Sequence, residues 1–318
     1  MKKLLSILIM LVMLAAAFTG CGDGSASQAA ESDSLDAQIQ EDPSGGSEST
    51  EAESSEAKSA RAEYSEPGRE AQGDGMPGEN APPQEELTIL MAAAASLEDS
   101  FVSRLIPLFN EQYPQITVEA SYDSSGKLQT QIEEGLGADL FFSAATKQME
   151  ALTQSGFIDE STVVPLLENE IVLIAPADAD TNTDHFQQIG EGDGIIAIGD
   201  PQSVPAGQYA QEALESLGVW DAIQDRLSLG TNVTEVLNQV AEGSAELGIV
   251  YATDAAQMPE RVKVLAAAPE GSLQQKVLYP VGILSDANHP EAAALFLSFL
   301  KSPQALAVFR ENGFKPAE

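Results

Sequence analysis

The chain has 318 residues, and its 15 lysines and arginines against 50 aspartates and glutamates give a formal net charge of −35. A surface this negative repels the phosphate backbone of nucleic acids, so the composition excludes nucleic acid as a partner. The sequence contains one cysteine, Cys21, which excludes an intrachain disulfide framework.

The N-terminal segment has the pattern of an export signal. A positively charged start precedes an apolar stretch at 4–18 that is too short and wrongly flanked for a membrane-spanning helix. The following Phe18-Thr19-Gly20-Cys21 resembles the lipobox of bacterial lipoproteins. We therefore expect a lipoprotein signal peptide at 1–20, an acylated Cys21, and a protein tethered by lipid to the cell membrane outside the cytoplasm. An ordinary secretory signal with an incidental cysteine is the alternative.

A change of composition marks the next boundary. Residues 21–86 are rich in serine, glutamate, alanine, glycine and proline and nearly lack large apolar side chains. Such a segment cannot bury enough surface to offset the entropy of ordering, so it is predicted to be a disordered acidic linker. Residues 87–318 remain, which is enough for one large or two small hydrophobic cores.

Apolar runs of strand length alternate with helical patterns through this region. Strands are predicted at 87–94, 116–120, 138–144, 170–176, 194–201, 246–252, 262–268 and 277–284. Helices are predicted from Leu97 to Pro114 with a kink or break at Pro107, and at 127–137, 146–156, 206–218, 233–243, 290–302 and 303–313. This alternation predicts an α/β fold with parallel sheets flanked by helices.

At four points a strand ends, a tight turn follows and a helix begins. These turns carry Ser96 as a predicted N-cap, Ser124–Ser125, Pro205–Gly207 and Asn232–Val233. Helix N-termini expose unpaired N–H groups, and ligands in open α/β sheets bind at the carboxyl ends of the strands. Several such turns aimed at one cleft would bind an anion without lysine or arginine.

The order and spacing of these turns resemble the molybdate-binding proteins of ABC importers. The resemblance covers essentially all of 87–318 and is carried by AAAASL, SSGKLQTQIEEGLGADLFFSA, GDPQSVPAGQYAQEAL, LGVWD, LGIVYATDA and YPVGIL. It implies a two-lobed periplasmic-binding-protein fold with a ligand cleft between the lobes. Lobe one is expected at about 87–170 and 277–318, and lobe two at about 171–276.

The resemblance also implies a ligand site and a function. The expected oxyanion-binding residues are Ser96, Ser125, Ala206, Val233 and Tyr251, with molybdenum held only as its oxyanion. All five offer neutral donors, which suits a dianion with no proton to donate. The protein is then a monomeric lipoprotein, without enzymatic activity or cofactor, that delivers molybdate or tungstate to the permease subunits of an ABC importer. Binding of sulfate or another tetrahedral oxyanion, or a surface-adhesion role, are the alternatives.

Two positions depart from the family pattern. Ser143-Ala144-Ala145 stands where the family commonly has Ser-Ala-Asp, and Gly126 replaces a serine of the serine run, which leaves the role of Ser124 open. The sequence offers no Gly-x-Ser-x-Gly nucleophile motif, and its two histidines, His185 and His289, fit no metal-binding spacing.

Overall fold

The computed structural model describes residues 86–317. The predicted signal peptide, Cys21 and nearly all of the predicted linker lie outside the described residues.

The described chain forms eleven strands. They are β1 (Leu87–Ala94), β2 (Ile116–Asp123), β3 (Leu140–Phe142), β4 (Val164–Asn169), β5 (Ile171–Pro176), β6 (Ile196–Gly199), β7 (Leu227–Gly230), β8 (Leu247–Tyr251), β9 (Val262–Ala267), β10 (Val277–Ile283) and β11 (Lys315–Pro316). One sheet has six strands in the order β11-β4-β10-β3-β1-β2, and the other has five in the order β7-β6-β8-β5-β9.

The α-helices pack around these sheets. They are α1 (Glu98–Ser100), α2 (Ile106–Gln112), α3 (Ser125–Glu133), α4 (Thr146–Gln154), α5 (Pro205–Ser216), α6 (Trp220–Ile223), α7 (Val233–Ala241), α8 (Ala252–Gln257), α9 (Pro290–Leu300) and α10 (Pro303–Glu311). The predicted α/β architecture, with helices against both sheets, is therefore present in the described residues.

The prediction of parallel sheets is wrong, because both sheets are mixed. β1 is parallel to β2 and β3, and β6 is parallel to β7 and β8. However, β10 is antiparallel to β3 and β4, and β5 is antiparallel to β8 and β9. Strands buried on both faces are continuous apolar runs whichever way they point, so their composition carries no direction.

The predicted break near Pro107 is confirmed. A π-helical segment, Phe101–Leu105, precedes α2, and Pro107 lies in the first turn of that helix. Proline has no N–H to donate to the carbonyl four residues earlier, so a regular α-helix cannot run through this position.

Aromatic rings fill the core beside the six-stranded sheet. Phe101 packs edge-on against Phe142 and Phe309, with ring centroids 6.0 and 5.9 Å apart. Phe296 of α9 and Phe309 of α10 are fully buried. No single helix in 86–317 is long and apolar enough to cross a membrane. The α9 and α10 pair passes that test together but bends by 62°, and its apolar face lies in this core.

We call the six-stranded sheet with its helices lobe one, and the five-stranded sheet with its helices lobe two. The chain passes from the first sheet to the second between Asn169 and Ile171, and returns between Ala267 and Val277. The lobe boundaries near 170 and 276 stay a prediction, with the sheet membership as their physical basis.

Candidate binding site

One small cavity between the sheets is lined by all five residues predicted from the sequence. Ser96, Ser125, Ala206, Val233 and Tyr251 border a cavity of about 10 Å³, and none of the five is more than 4% exposed. The remaining lining residues are Ala94, Ala95, Asp123, Ser124, Ala144, Val204 and Pro205. Both lobes therefore contribute to the cavity wall.

Ser96 reaches the cavity from the end of β1, but it does not cap a helix as predicted. It lies inside a 3₁₀ turn, Ala95–Leu97, whose N-cap is Ala94. Its Oγ is 3.0 Å from the hydroxyl of Tyr279, which also accepts a hydrogen bond from Asn169 Nδ2 at 3.2 Å. Either hydroxyl can donate in the Ser96–Tyr279 pair. When Tyr279 donates, the Ser96 proton is left for an acceptor in the cavity.

Ser125 is held by a neighbouring strand end. It is the first residue of α3, two residues earlier than the predicted start, because β2 pairs with β1 through Asp123 and the helix follows at once. Its Oγ accepts a hydrogen bond from the Ala144 N–H at 2.9 Å. The hydroxyl therefore keeps its own proton for a further acceptor.

Tyr251 closes the site from lobe two, at the end of β8. Its hydroxyl donates to the Ala144 carbonyl at 3.1 Å, and its ring meets that of Tyr279 at 5.4 Å. Burial raises the pKa of Tyr251 well above its ordinary value, so the phenol keeps its proton. The predicted donor is thus already bonded across the lobes, and Ala144 is bonded at its N–H by Ser125 and at its carbonyl by Tyr251.

Ala206 is placed by tight packing between α5 and β6. A Cβ on Gly207 would lie 1.9 Å from the Gly199 carbonyl oxygen, so α5 begins directly against the end of β6. Pro205 occupies the first position of this helix, where its missing N–H costs nothing. The N–H of Ala206 follows in the first turn, where helical amides have no intrahelical acceptor.

Val233 begins α7, and its neighbour Asn232 is the cap. The Asn232 side chain accepts a hydrogen bond from the Glu235 N–H at 2.9 Å. The N–H of Val233 therefore has no acceptor within the helix, and the Asn232 side chain does not accept from it.

Asp123 corrects the expectation of a wall made only of neutral donors. This acidic residue lines the cavity. Its Oδ1 accepts from the Ser124 N–H at 2.7 Å and lies 3.2 Å from Lys127 Nζ. Since this ion pair is partly exposed, at 25% and 37%, the lysine offsets the negative charge only in part. Asp123 was not predicted from the sequence, because a single aspartate before two serines matches no binding-site motif.

Gly126 explains one departure from the family pattern. Its N–H donates to the Ser203 carbonyl of lobe two at 2.9 Å. A Cβ on Gly126 would come within 2.3 Å of that oxygen, so serine would not fit at this contact. In the other departure, Ala145 is the N-cap of α4 and makes no side-chain cap bond.

Asp254 is a buried carboxyl behind the site. It accepts from the Tyr251 N–H at 3.1 Å and forms a capping box at the start of α8. Desolvation raises its pKa from the ordinary 3.8 to about 7, although the Tyr251 hydrogen bond acts in the opposite direction. Near neutral pH a large fraction of this carboxyl is therefore uncharged.

Sequence reasoning missed several residues that hold the site. Tyr279 and Asn169 orient Ser96, Ala144 joins Ser125 to Tyr251, and Asp254 fixes the start of α8. The signal for Tyr279 was present in the YPVGIL segment, as a tyrosine inside an otherwise apolar strand. No cluster of three or more histidine, cysteine or acidic side chains suited to a metal ion occurs within 86–317.

A family model described as bacterial extracellular solute-binding protein matches residues 89–315. The chain belongs to this family. Its members bind solutes and are not enzymes, so the cavity of this solute-binding protein is a capture site and not a catalytic centre.

Several proteins with known names are similar to this chain. A putative ABC transporter substrate-binding lipoprotein of Bacillus subtilis, YvgL, is 36% identical over 73% of this chain and 87% of its own length. The molybdate-binding protein ModA of Escherichia coli is 38% identical over 71% of this chain and 88% of its own. The substrate-binding domain of a putative molybdenum ABC transporter from Clostridium difficile aligns over 73% of this chain and 100% of its own, at 32% identity and a TM-score of 0.57. The two-lobed fold is confirmed.

The Asp254 carboxyl predicts a pH dependence of stability. Its pKa is higher in the folded than in the unfolded protein, so it favours the folded state at low pH, and this contribution is lost as pH rises from about 4 to 7. An Asp254→Asn variant keeps an uncharged acceptor at every pH. Between pH 5 and pH 8, we expect the variant to gain roughly 2 kcal/mol in unfolding free energy relative to the unmodified protein.

Urea denaturation of both proteins at the two pH values measures this difference. Comparing the two proteins cancels the titration of the many surface carboxylates. An equal difference in unfolding free energy at pH 5 and pH 8 would show that Asp254 is ionised throughout.

Proposed function

We propose that this protein captures molybdate or tungstate outside the cytoplasm and delivers it to the permease subunits of an ABC importer. The observation that carries the proposal is the small cavity that residues of both lobes line, among them two serines and the first-turn residues of α5 and α7. The molybdate-binding name of the Escherichia coli relative supports the choice of solute.

The cavity volume favours a small inorganic ion. Pockets for organic ligands measure about 300–1,000 Å³, whereas this cavity offers only about 10 Å³ to the centre of a water-sized sphere. That is about the space needed by one water molecule. A sugar or a peptide does not fit, and a small inorganic ion is the solute closest to this size.

The donor chemistry favours an ion that is fully deprotonated. Ser96 and Ser125 would each donate a hydroxyl proton, and Ala206 and Val233 would donate main-chain N–H groups. Each charge-assisted hydrogen bond contributes about 1.5–3 kcal/mol, so four such bonds give on the order of 10 kcal/mol before the costs of desolvation and closure. Micromolar to nanomolar affinity requires about 8–12 kcal/mol.

Tyr251 takes a modified role in this proposal. Because its hydroxyl donates to Ala144 in the closed arrangement, we propose that it fastens lobe two onto lobe one behind the ion. Donation to the ion itself would require this bond to be released. Solute-dependent closure of this kind shifts the population towards the form that an importer recognises.

Attachment to the membrane is part of the same proposal. Extracellular solute-binding proteins work outside the cytoplasm, and the Bacillus subtilis relative is named a lipoprotein. With the lipobox-like segment ending at Cys21, these names support a lipid anchor, which would keep a monomeric binding domain close to its permease. No resident cofactor is required for capture and delivery.

Calorimetric titration of the protein with molybdate, tungstate, sulfate and phosphate tests the proposed solute. We expect molybdate and tungstate to bind most tightly. Ser125→Ala removes one hydroxyl donor and is expected to weaken their binding more than tenfold. It should also lower the unfolding free energy by about 1–3 kcal/mol, because the buried Ala144 N–H loses its acceptor. Ser121→Ala, on β2 but outside the cavity lining, is the matched control and should bind as the unmodified protein does.

Titration with the four oxyanions also distinguishes the proposed function from the alternative functions. Sulfate binding more tightly than molybdate would replace the proposed solute with another tetrahedral oxyanion. If none of the four ions bound, oxyanion capture would be excluded, and a surface-adhesion role would become the better hypothesis. An unchanged dissociation constant for Ser125→Ala would remove that residue from the site.

Replacing Asp123 is expected to strengthen molybdate binding, in contrast to Ser125→Ala. Asp123 lines the cavity, and its negative charge repels a dianion, so Asp123→Asn should strengthen molybdate binding about threefold to tenfold. The side-chain oxygen of the new asparagine still accepts from the Ser124 N–H, so the local structure is kept. Lys127→Met should weaken binding, because it removes the cation that offsets the carboxylate. Measuring both dissociation constants at low and at high salt tests the electrostatic cause. Weaker molybdate binding by Asp123→Asn would contradict it.

A further inference from the structure

Ser124 is a buried serine of the cavity wall whose hydroxyl makes no hydrogen bond with the described residues. Its side chain is 3% exposed, and its Oγ has no hydrogen-bond partner among the described residues. The same residue lines the cavity beside Ser125. A buried hydroxyl without a hydrogen-bond partner is destabilising, and the cavity beside it is the place where a bound group could accept its proton.

The surrounding protein groups are already committed to other bonds. The Ser124 N–H donates to Asp123 Oδ1 at 2.7 Å, and its carbonyl accepts from the Leu128 N–H at 3.0 Å. Although Ser124 is the N-cap of α3, its side chain makes no cap hydrogen bond. The hydroxyl is thus the one polar group of Ser124 that is free to act in the cavity.

A structural role for this hydroxyl is not supported by its contacts. An N-cap serine ordinarily stabilises its helix by accepting from the second or third helical N–H, and this one does not. Alanine at this position would therefore lose no protein hydrogen bond. It would also remove the cost of keeping a hydroxyl buried and unpaired.

We propose that Ser124 is a further ligand-binding residue, whose hydroxyl donates a hydrogen bond to the captured oxyanion alongside Ser125. This inference rests on the proposed function and adds a donor to the set predicted from the sequence. It also gives the paired serines different roles. Ser125 is tied to Ala144 and holds the wall of lobe one, whereas the Ser124 hydroxyl contacts only the ion.

The test compares Ser124→Ala, Ser125→Ala and Ser121→Ala in two measurements. In the absence of oxyanion, we expect the melting temperature of Ser124→Ala to equal or exceed that of the unmodified protein. In molybdate titrations, its dissociation constant should rise about tenfold or more, which is the loss expected for one hydrogen bond to a charged group. The stabilisation by saturating molybdate should shrink correspondingly.

Two results would overturn the role of Ser124 without affecting the proposed function. One is an unchanged molybdate dissociation constant for Ser124→Ala while Ser125→Ala binds more weakly. The other is a clear loss of ligand-free stability, which would show a structural hydroxyl. If the unmodified protein bound no oxyanion at all, the proposed function and this inference would fail together.

Discussion

Main-chain N–H groups at the beginning of a helix have no carbonyl within that helix to accept their hydrogen bonds. In this protein α3, α5 and α7 follow β2, β6 and β7, which belong to two different sheets, and the first residues of the three helices border one cavity. Partial positive charge therefore gathers in a space that little water can enter. A small anion bound in the cavity would accept hydrogen bonds from several of these amides at once, with no direct contact from lysine or arginine.

Hydrogen bonds between the two lobes hold them together around this cavity. Ala144 accepts the Tyr251 hydroxyl from lobe two while its own N–H is bound to Ser125 of lobe one. The Gly126 N–H also donates to the Ser203 carbonyl across the lobes. A side chain at 126 would collide with that carbonyl oxygen, so the glycine that departs from the family pattern is needed for this contact between the lobes.

The strands and helices were predictable where a strong pattern repeats over many residues. β1, α5 and β10 follow continuous apolar runs or helical periodicity, whereas β4 and the four-residue β7 offered too little pattern to recognise. Strand direction in the mixed sheets depends on how the chain crosses between lobes, which composition does not encode. The five cavity residues came from family motifs, while Asp123 and Tyr279 depend on side-chain neighbours that are distant in sequence or have no motif.

The packing of Gly207 on Gly199 has a consequence for how such a protein diverges. The donors of α5 belong to the backbone, so replacing the side chains around them leaves the donors in place. Their position instead depends on a hydrogen atom at Gly207, where any other residue would place a β-carbon 1.9 Å from the Gly199 carbonyl oxygen. A lineage could thus lose solute capture through one added carbon that never touches the solute, while keeping every polar side chain of the pocket.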